Sequence, residues 1–317
     1  MNKRHSQYDV SNTVNVSDSQ AVSDAVCDIF HSCYLGADDS KIRQAFEDFD
    51  NLFEGQYSGF NACDTYYHDK QHTLDMTLAM ARLIDGHERQ SKRHRTLGAQ
   101  LTTLAIITAL FHDSGYIRRS NDHKHHNGAE YTRIHVSRSA DFLQQYLQMH
   151  GLAAFAGIAA NMVHYTGYEI APQDINLPDK RFHLLGYMLG TADLIAQMSD
   201  RCYLEKCRDR LYPEFELAGI TSTRNEDGEQ VSIFASPEDL LAKTPVFYNN
   251  EVKKRIDGLF GKVYKFAEAH FGGDNLYLKY LRQNIQHIES LLATGDVGSL
   301  SRLPPQNKGI KNLSNMH

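Results

Sequence analysis

The sequence lacks an uninterrupted apolar run of the roughly 20 residues that a membrane-spanning helix needs. Its most apolar segment, residues 104–111, follows two threonines and leads directly into His112 and Asp113, which is typical of a buried helix. The first 18 residues lack the apolar core and the cleavage site of a secretory signal. We therefore expect a soluble, cytoplasmic protein without a membrane partner.

Cysteine is also scarce, and the chain has no excess of basic residues. The five cysteines form no Cys-x-x-Cys pair, which argues against a disulfide framework and against a thiolate zinc site. Lys and Arg total 33 against 39 Asp and Glu, so the formal net charge is −6. Because nucleic-acid binding depends on basic side chains that neutralise phosphates, we predict no nucleic-acid partner. A metal ion in this protein would have to bind nitrogen and oxygen ligands.

Apolar residues recur mostly at helical spacing, so the sequence predicts an all-α fold. Its 317 residues are compatible with one large helical domain, placed at 19–297 between loose polar tails at 1–18 and 298–317. Residues 221–230 are rich in turn formers and predict a surface loop or a small hairpin. Gly115 follows a helix predicted at 97–113 and is expected to end it in the left-handed conformation.

Histidines are concentrated in the middle of the chain, where 12 of the 17 lie between His68 and His183. The helix that ends at His112 and Asp113 is apolar on nearly all sides, which predicts a buried end. A buried carboxylate beside an imidazole is costly unless it is paired or bound to a cation. The alternative is local, with Asp113 as a capping or ion-pair residue and His112 as a hydrogen-bonded core histidine.

Three further histidine positions and one acid extend the hypothesis of a metal site. His72 lies near the start of one predicted helix, His135 on the inner face of another and His164 at the end of a third, while Asp193 is the lone acid of an apolar segment. Each has an ordinary alternative as a surface residue, a helix-end charge or an arginine partner. One shared site explains all four together, so we predict that they converge with the doublet on divalent ions.

Two neighbouring divalent ions can lower the pKa of a shared water molecule and neutralise phosphoryl oxygens. These are the requirements of phosphoester hydrolysis. The candidate cofactors are therefore two divalent metal ions, which could be Zn, Mn, Mg or Fe. The expected partner is a small-molecule phosphoester.

Residues 67–76 supply a family resemblance. They run Tyr-His-Asp-Lys-Gln-His-Thr-Leu-Asp-Met and resemble the opening motif of class I cyclic-nucleotide phosphodiesterases, Tyr-His-Asn-x-x-His-x-x-Asp-Val, with Asp69 and Met76 in place of Asn and Val. Together with the doublet of His112 and Asp113, the pattern over about 66–201 resembles the HD-domain superfamily of metal-dependent phosphohydrolases. The resemblance implies an HD-type helical bundle with N- and C-terminal helical extensions.

The same resemblance implies roles for individual residues. His72 and His112 would be metal ligands, Asp113 would bridge two ions, and Asp193 would complete the set. His68 would be the general acid that protonates the leaving oxygen, while a hydroxide shared by the two ions attacks phosphorus.

After the doublet the chain departs from the phosphodiesterase pattern, because Ser-Gly-Tyr-Ile stands where that family has a histidine and Pro-Gly. Residues 130–143 and 164–169 are more similar to the bacterial HD-GYP branch of the superfamily. That similarity makes His135 and His164 the candidates for binding a second ion. His125 and His126, in the loop after the doublet, are the competing candidates.

Arg118, Arg119 and Lys124 lie in the same loop and would place positive charge over a substrate phosphate, with a solvated charged surface as the alternative. The leading hypothesis is a phosphodiesterase that acts on a nucleotide-type ester. The alternatives are a di-iron oxygenase of the HD superfamily and a non-catalytic nucleotide-sensing module. Specificity, regulation or formation of a homodimer is assigned to the first 60 residues and to the chain after Leu211.

Overall fold

The computed structural model describes residues 4–92, 96–225 and 229–306. Within these ranges the chain is mostly helical, and its only regular β-structure is one two-stranded antiparallel hairpin. The predicted all-α class is confirmed. No helix of the described ranges is both long enough and apolar enough to cross a membrane.

The α-helices are α1 (Ser19–Cys33), α2 (Ser40–Phe53), α3 (Lys70–Gln90), α4 (Ala99–Leu110), α5 (His135–Met149), α6 (Ala156–Met162), α7 (Lys180–Ser199), α8 (Tyr203–Lys206), α9 (Tyr212–Leu217), α10 (Pro237–Phe247), α11 (Phe266–Phe271) and α12 (Leu276–Thr294). Strands β1 (Ser222–Arg224) and β2 (Gln230–Ser232) pair with Thr223 opposite Val231. Of the two structures predicted for 221–230, the hairpin is therefore the one observed.

Helix α3 lies in the centre of the fold. Residues 71–87 of this helix are all buried, and the helix packs against α1, α4, α7 and α11. Gly86 allows the contact with α11, because a Cβ at this position would lie 1.8 Å from the carbonyl oxygen of Phe266. Polar side chains on a helix that is buried on all sides need partners from other helices. His72 and Asp85 find such partners in other helices, whereas Asp75 forms no hydrogen bond or ion pair within the described chain.

Residues 4–18 do not form the loose tail that the composition predicts. Asp9 is 1% exposed, and its carboxylate forms an ion pair with Arg82 of α3 at 2.7 Å. At the other end of the chain, Leu300 is buried and Arg302 donates a hydrogen bond to the carbonyl oxygen of Arg201 at 2.6 Å. A polar composition does not distinguish a solvated tail from one held by buried ion pairs. Residues 1–3 and 307–317 lie outside the described part of the chain.

Candidate metal centre

Three buried helices bring four polar side chains together. His72 lies in the first turn of α3, Asp193 lies in α7, and His112 and Asp113 lie in the turn after α4. His72 Nε2 is 3.2 Å from Asp193 Oδ1 and 3.4 Å from Asp113 Oδ2. His112 Nε2 is 3.2 Å from the same Asp113 oxygen. We call these four residues the His-Asp cluster; sequence analysis assigned all four to one site.

Hydrogen bonds outside the cluster determine which nitrogen of His112 faces it. Its Nδ1 lies 2.8 Å from the carbonyl oxygen of Ala109, and a carbonyl can only accept a hydrogen bond. The Nδ1 atom therefore carries the proton, and in the neutral ring Nε2 presents a lone pair toward Asp113. Neither His112 Nε2 nor Asp113 Oδ2 has a hydrogen-bond partner among the described residues. Two buried acceptors that face one another repel unless a proton or a cation lies between them.

A divalent cation fits this arrangement. One ligand atom from each of His72, His112 and Asp113 lies within 4.8 Å of the other two, so a single ion can contact all three. A proton could relieve only one of these contacts at a time. Metal-binding histidines typically donate their other N–H to a backbone carbonyl or a carboxylate, as His112 does here. Imidazole and carboxylate ligands suit Zn, Mn or Fe, and carboxylates also suit Mg.

In the absence of a cation the two carboxylates favour a proton on His72. Burial by itself would lower the pKa of this imidazole, but its contacts with Asp113 and Asp193 outweigh burial and raise the pKa to about 10. Burial would likewise raise the pKa of Asp113, whereas the imidazoles of His112 and His72, when protonated, hold it well below its usual range. An incoming metal ion therefore has to displace a proton from His72.

His135 approaches the cluster from the opposite side of the Asp113 carboxylate. Its Nε2 lies 3.9 Å from Asp113 Oδ1, whereas His72 and His112 contact Oδ2. The Nδ1 atom of His135 lies 2.7 Å from the carbonyl oxygen of Thr132, so the neutral ring directs a lone pair toward the carboxylate. The two oxygens of Asp113 thus face different imidazoles, which is the geometry that a bridging carboxylate needs.

The other candidates for a second ion do not reach the cluster. Residues 163–165 form a 3₁₀ turn, so His164 does not project as it would from a continued α-helix. Within the described chain His164 forms no ion pair with either cluster carboxylate, and burial lowers the pKa of its imidazole. The His125 ring lies 3.0 Å from Asp122 in its own loop, and His126 is exposed. The prediction that His164 binds metal is therefore not supported by its position.

The three basic residues of the same loop also lie elsewhere than predicted. Arg118 forms an ion pair with Asp64 at 2.8 Å, and the guanidinium of Arg119 lies 4.3 Å from the centre of the Phe60 ring. Lys124 is exposed. None of the three is among the described residues that line the cavity at the cluster. Their proximity to the doublet in sequence did not reveal that Asp64 and Phe60 hold the arginines outside the site.

His68 lies beside the cluster and is held by an acid that the sequence analysis did not identify. Its Nδ1 contacts Glu214 Oε1, and the backbone N–H groups of Tyr67 and His68 donate to Glu214 Oε2 at 2.8 and 3.4 Å. Glu214 is completely buried in α9. Burial lowers the pKa of His68, but Glu214 outweighs this effect, and the net result is a raised pKa. A separation of 146 residues in sequence left no local signal for this pair.

The ring of Tyr116 contacts those of His68 and His135, whose own centroids are 6.1 Å apart. The Tyr116 ring stacks on both, with centroid distances of 4.5 Å to His68 and 4.4 Å to His135.

Gly115, the residue before Tyr116, lies in the 3₁₀ turn Ser114–Tyr116 and does not have a positive φ. The predicted left-handed helix end is therefore wrong. A Cβ on Gly115 would lie 1.8 Å from the carbonyl oxygen of His135. Glycine is needed here because the doublet turn contacts the start of α5.

Asp69, which stands where the phosphodiesterase motif has Asn, fixes the start of α3. Its Oδ1 accepts the backbone N–H of His72 at 2.9 Å and thereby caps the helix. Its Oδ2 forms an ion pair with Arg210 at 2.9 Å. The additional negative charge of Asp relative to Asn is thus matched by an arginine, and the first turn that carries His72 is held in place.

The His-Asp cluster opens into a cavity of about 650 Å³. His68, His72, Asp113, His135 and Asp193 all contribute to its wall. The volume lies within the range of about 300–1,000 Å³ that is usual for small-molecule sites. A solute in this cavity could contact both the cluster and His68.

The fold and the site together define an all-α protein with a buried His-Asp cluster that opens into a cavity. The chain belongs to the Npun_R2479-like family, whose model matches residues 122–286. The matched region contains His135, Asp193 and Glu214 but begins after the doublet of His112 and Asp113. No curated protein matches the chain.

Proposed function

We propose that this protein is a divalent-metal-dependent phosphohydrolase of the HD-domain type that cleaves phosphodiester bonds. The observation that carries the proposal is the pair of buried acceptors, His112 Nε2 and Asp113 Oδ2, which face one another at 3.2 Å without a hydrogen-bond partner in the described chain. A cation between them removes the repulsion. Its position beside the cavity would place it in contact with a small-molecule substrate.

His72, His112, Asp113 and Asp193 would hold one ion, and Asp113 with His135 would contribute to a second. When bound, such ions neutralise phosphoryl oxygens and supply a nucleophilic oxygen at neutral pH. The chain itself supplies the remaining requirement, which is a proton for the leaving oxygen.

His68 is suited to donate that proton. Its Nδ1 is held by the buried carboxylate of Glu214, so Nε2 is the nitrogen available to the cavity. Glu214 raises the pKa of His68, which maintains the protonated form of the ring at a higher pH than in water. A protonated imidazole with a fixed orientation is an effective general acid for an alkoxide leaving group. Glu214 is the positioning residue in this arrangement.

Hydrolysis by protein loaded with Mn²⁺ or Mg²⁺ tests the proposal, with bis(p-nitrophenyl) phosphate as the ester of a good leaving group and dibutyl phosphate as an ester whose alkoxide leaving group needs a proton. We expect turnover of both in the parent and, on dibutyl phosphate, a loss of about 10²–10⁴-fold in His68→Ala, the usual contribution of a general acid. Metal content should be unchanged in this variant. His125→Ala is the matched control, because His125 is bonded within its own loop and should leave the rate unaltered.

Absence of turnover on a broad phosphoester panel, with metal bound, would contradict the proposal. Oxygen uptake by the iron-loaded protein would instead favour a di-iron oxygenase. Equal activity of His68→Ala and the parent on dibutyl phosphate would remove the general-acid role and leave the metal site intact.

A further inference from the structure

The cavity has two chemically different ends. The end at the cluster carries the imidazoles and carboxylates already described. The wall beyond Asp193 is formed by α7, the segment from α8 to α9, the base of the hairpin and α10, and its side chains are almost all apolar. Representative members are Leu194, Met198, Phe215, Phe234, Leu240 and Phe247.

Lysine and arginine are nearly absent from this cavity. Arg133 is the only Lys or Arg among the described residues that line it, and it is exposed. Glu169 also lines the cavity, but its carboxylate accepts the backbone N–H groups of Val136 and Ser137 at 2.9 and 3.1 Å at the start of α5. A ligand with several phosphates would therefore lack partners away from the cluster. The positive charge of His68 and of the proposed metal ions would be sufficient for one phosphate group at the cluster.

The apolar end has few polar side chains, and some of their polar atoms are already hydrogen-bonded, although within the described chain the amide nitrogen of Gln197 and the hydroxyl of Tyr168 are not. The hydroxyl of Thr244 donates to the carbonyl oxygen of Leu240 at 3.1 Å. The side-chain oxygen of Gln197, at the middle of the cavity, accepts a hydrogen bond from the Tyr67 hydroxyl at 3.1 Å. A sugar or a nucleobase carries many more hydrogen-bonding groups than the Gln197 amide nitrogen and the Tyr168 hydroxyl could pair, and burying it against this wall would leave most of them unpaired. An apolar group would lose nothing by entering.

The apolar end is also open to the surface. Tyr168, Ile233 and Phe247 line the cavity, yet they are 61%, 37% and 41% exposed. Large apolar side chains at the rim of an apolar cavity gain free energy when an apolar ligand covers them. The cavity is thus continuous from solvent, across an apolar wall, to the His-Asp cluster.

We propose that the substrate is a phosphate ester whose alcohol carries an extended apolar group. The phosphate lies at the cluster beside His68, and the apolar group lies between α7, α10 and the base of the hairpin. This inference rests on the proposed phosphohydrolase function and replaces the nucleotide-type substrate that the family resemblance implies.

One pair of esters and one pair of phosphonates test the inference on the Mn²⁺-loaded protein. The hydrolysis arm compares p-nitrophenyl decyl phosphate with p-nitrophenyl methyl phosphate and with 3′,5′-cyclic AMP. The binding arm uses decylphosphonate and methylphosphonate, which are not hydrolysed, in calorimetry below the concentration of micelle formation. Each buried methylene should tighten binding by about fourfold, so even partial burial of the decyl chain gives more than about a hundredfold preference over methyl.

Substitutions at the rim locate the apolar group. Ile233→Ser and Phe247→Ser should each weaken binding of decylphosphonate by about five- to tenfold and leave methylphosphonate unchanged. Val231→Ser and Val246→Ser are the matched controls, because these residues are similarly exposed, at 44% and 58%, but are not among the described lining residues. All four side chains are exposed, so the variants should fold; thermal unfolding checks this.

The outcomes separate this inference from the proposed function. Equal binding of the two phosphonates, faster turnover of 3′,5′-cyclic AMP than of the decyl ester, or decylphosphonate binding that neither rim variant weakens would overturn the inference. Tight binding of decylphosphonate that is weakened only by the rim variants, with no ester hydrolysed, would support the ligand class and reject hydrolysis. Turnover of the methyl ester without any preference for decyl would support hydrolysis and reject the apolar substrate.

Discussion

Replacement of Glu214 by Gln should reduce turnover although Glu214 is neither a predicted metal ligand nor a residue that sequence patterns identify. The change keeps the shape of the side chain but removes its charge from His68 Nδ1, while Oε2 also accepts two backbone N–H groups. A hydrogen bond to a charged group contributes about 1.5–3 kcal/mol. Since each 1.36 kcal/mol is a factor of ten in rate, kcat/KM should fall by roughly 10- to 150-fold.

The pH dependence identifies the cause of that loss. A general acid is active while it is protonated, and Glu214 raises the pKa of His68 against the opposing effect of burial. Without the carboxylate charge the pKa of His68 falls, so the basic limb of the pH–rate profile should move to lower pH. The assay is hydrolysis of dibutyl phosphate, whose alkoxide leaving group needs a proton, across pH at fixed Mn²⁺. A variant with the parental rate and an unmoved basic limb would refute the role of Glu214.

The remaining predictions concern stability and the boundaries of the site. Burial, together with Asp200 and Asp9, raises the pKa of Asp75 to about 7 from its usual 3.8. As pH rises, the unfolded chain therefore releases this proton before the folded chain does, and the free energy of unfolding falls between about pH 4 and 7. Asp75→Asn should therefore raise the free energy of unfolding by up to roughly 4 kcal/mol at pH 8 and by little at pH 4, as measured by urea unfolding. Equal effects at both pH values would contradict the assignment. Gly115→Ala should force the doublet turn away from the His135 carbonyl and thereby lower both the Mn²⁺ affinity and the melting temperature. If both values equal those of the parent, the close contact is not needed. Arg118→Ala should leave KM within about twofold of the parent, because Arg118 pairs with Asp64 outside the cavity; a large rise in KM would return it to the substrate site.

Most of the cluster could be predicted from the positions at which polar residues occur in apolar segments of the sequence. His112 and Asp113 end one apolar segment, and Asp193 is the single acid of another. Burying these polar side chains is energetically unfavourable unless they meet. The structure brings them within 4 Å of His72 or of one another. Sequence reasoning succeeds at such positions because burying an unpaired charge costs more free energy than any local preference can offset.

Partners that are distant in sequence could not be predicted in the same way. Glu214 holds His68 across 146 residues, and no local pattern records that contact. The same limit explains the loop after the doublet, where Asp64 and Phe60 hold the two arginines outside the cavity. Gly115 was assigned to a helix end because glycine commonly serves there, whereas its actual role is a close contact with the backbone of α5.

The central claim is that the His-Asp cluster binds divalent metal, and metal analysis of protein purified without added metal tests it most directly. The account predicts one to two bound ions per chain in the parent and a loss of that metal in His112→Ala, with His125→Ala unchanged as the matched control. Saturating metal should also raise the free energy of unfolding, by about 2.7 kcal/mol at a hundred times Kd. Parent protein that binds no divalent ion even when Mn²⁺ or Zn²⁺ is supplied, or bound metal that His112→Ala does not reduce, would contradict it.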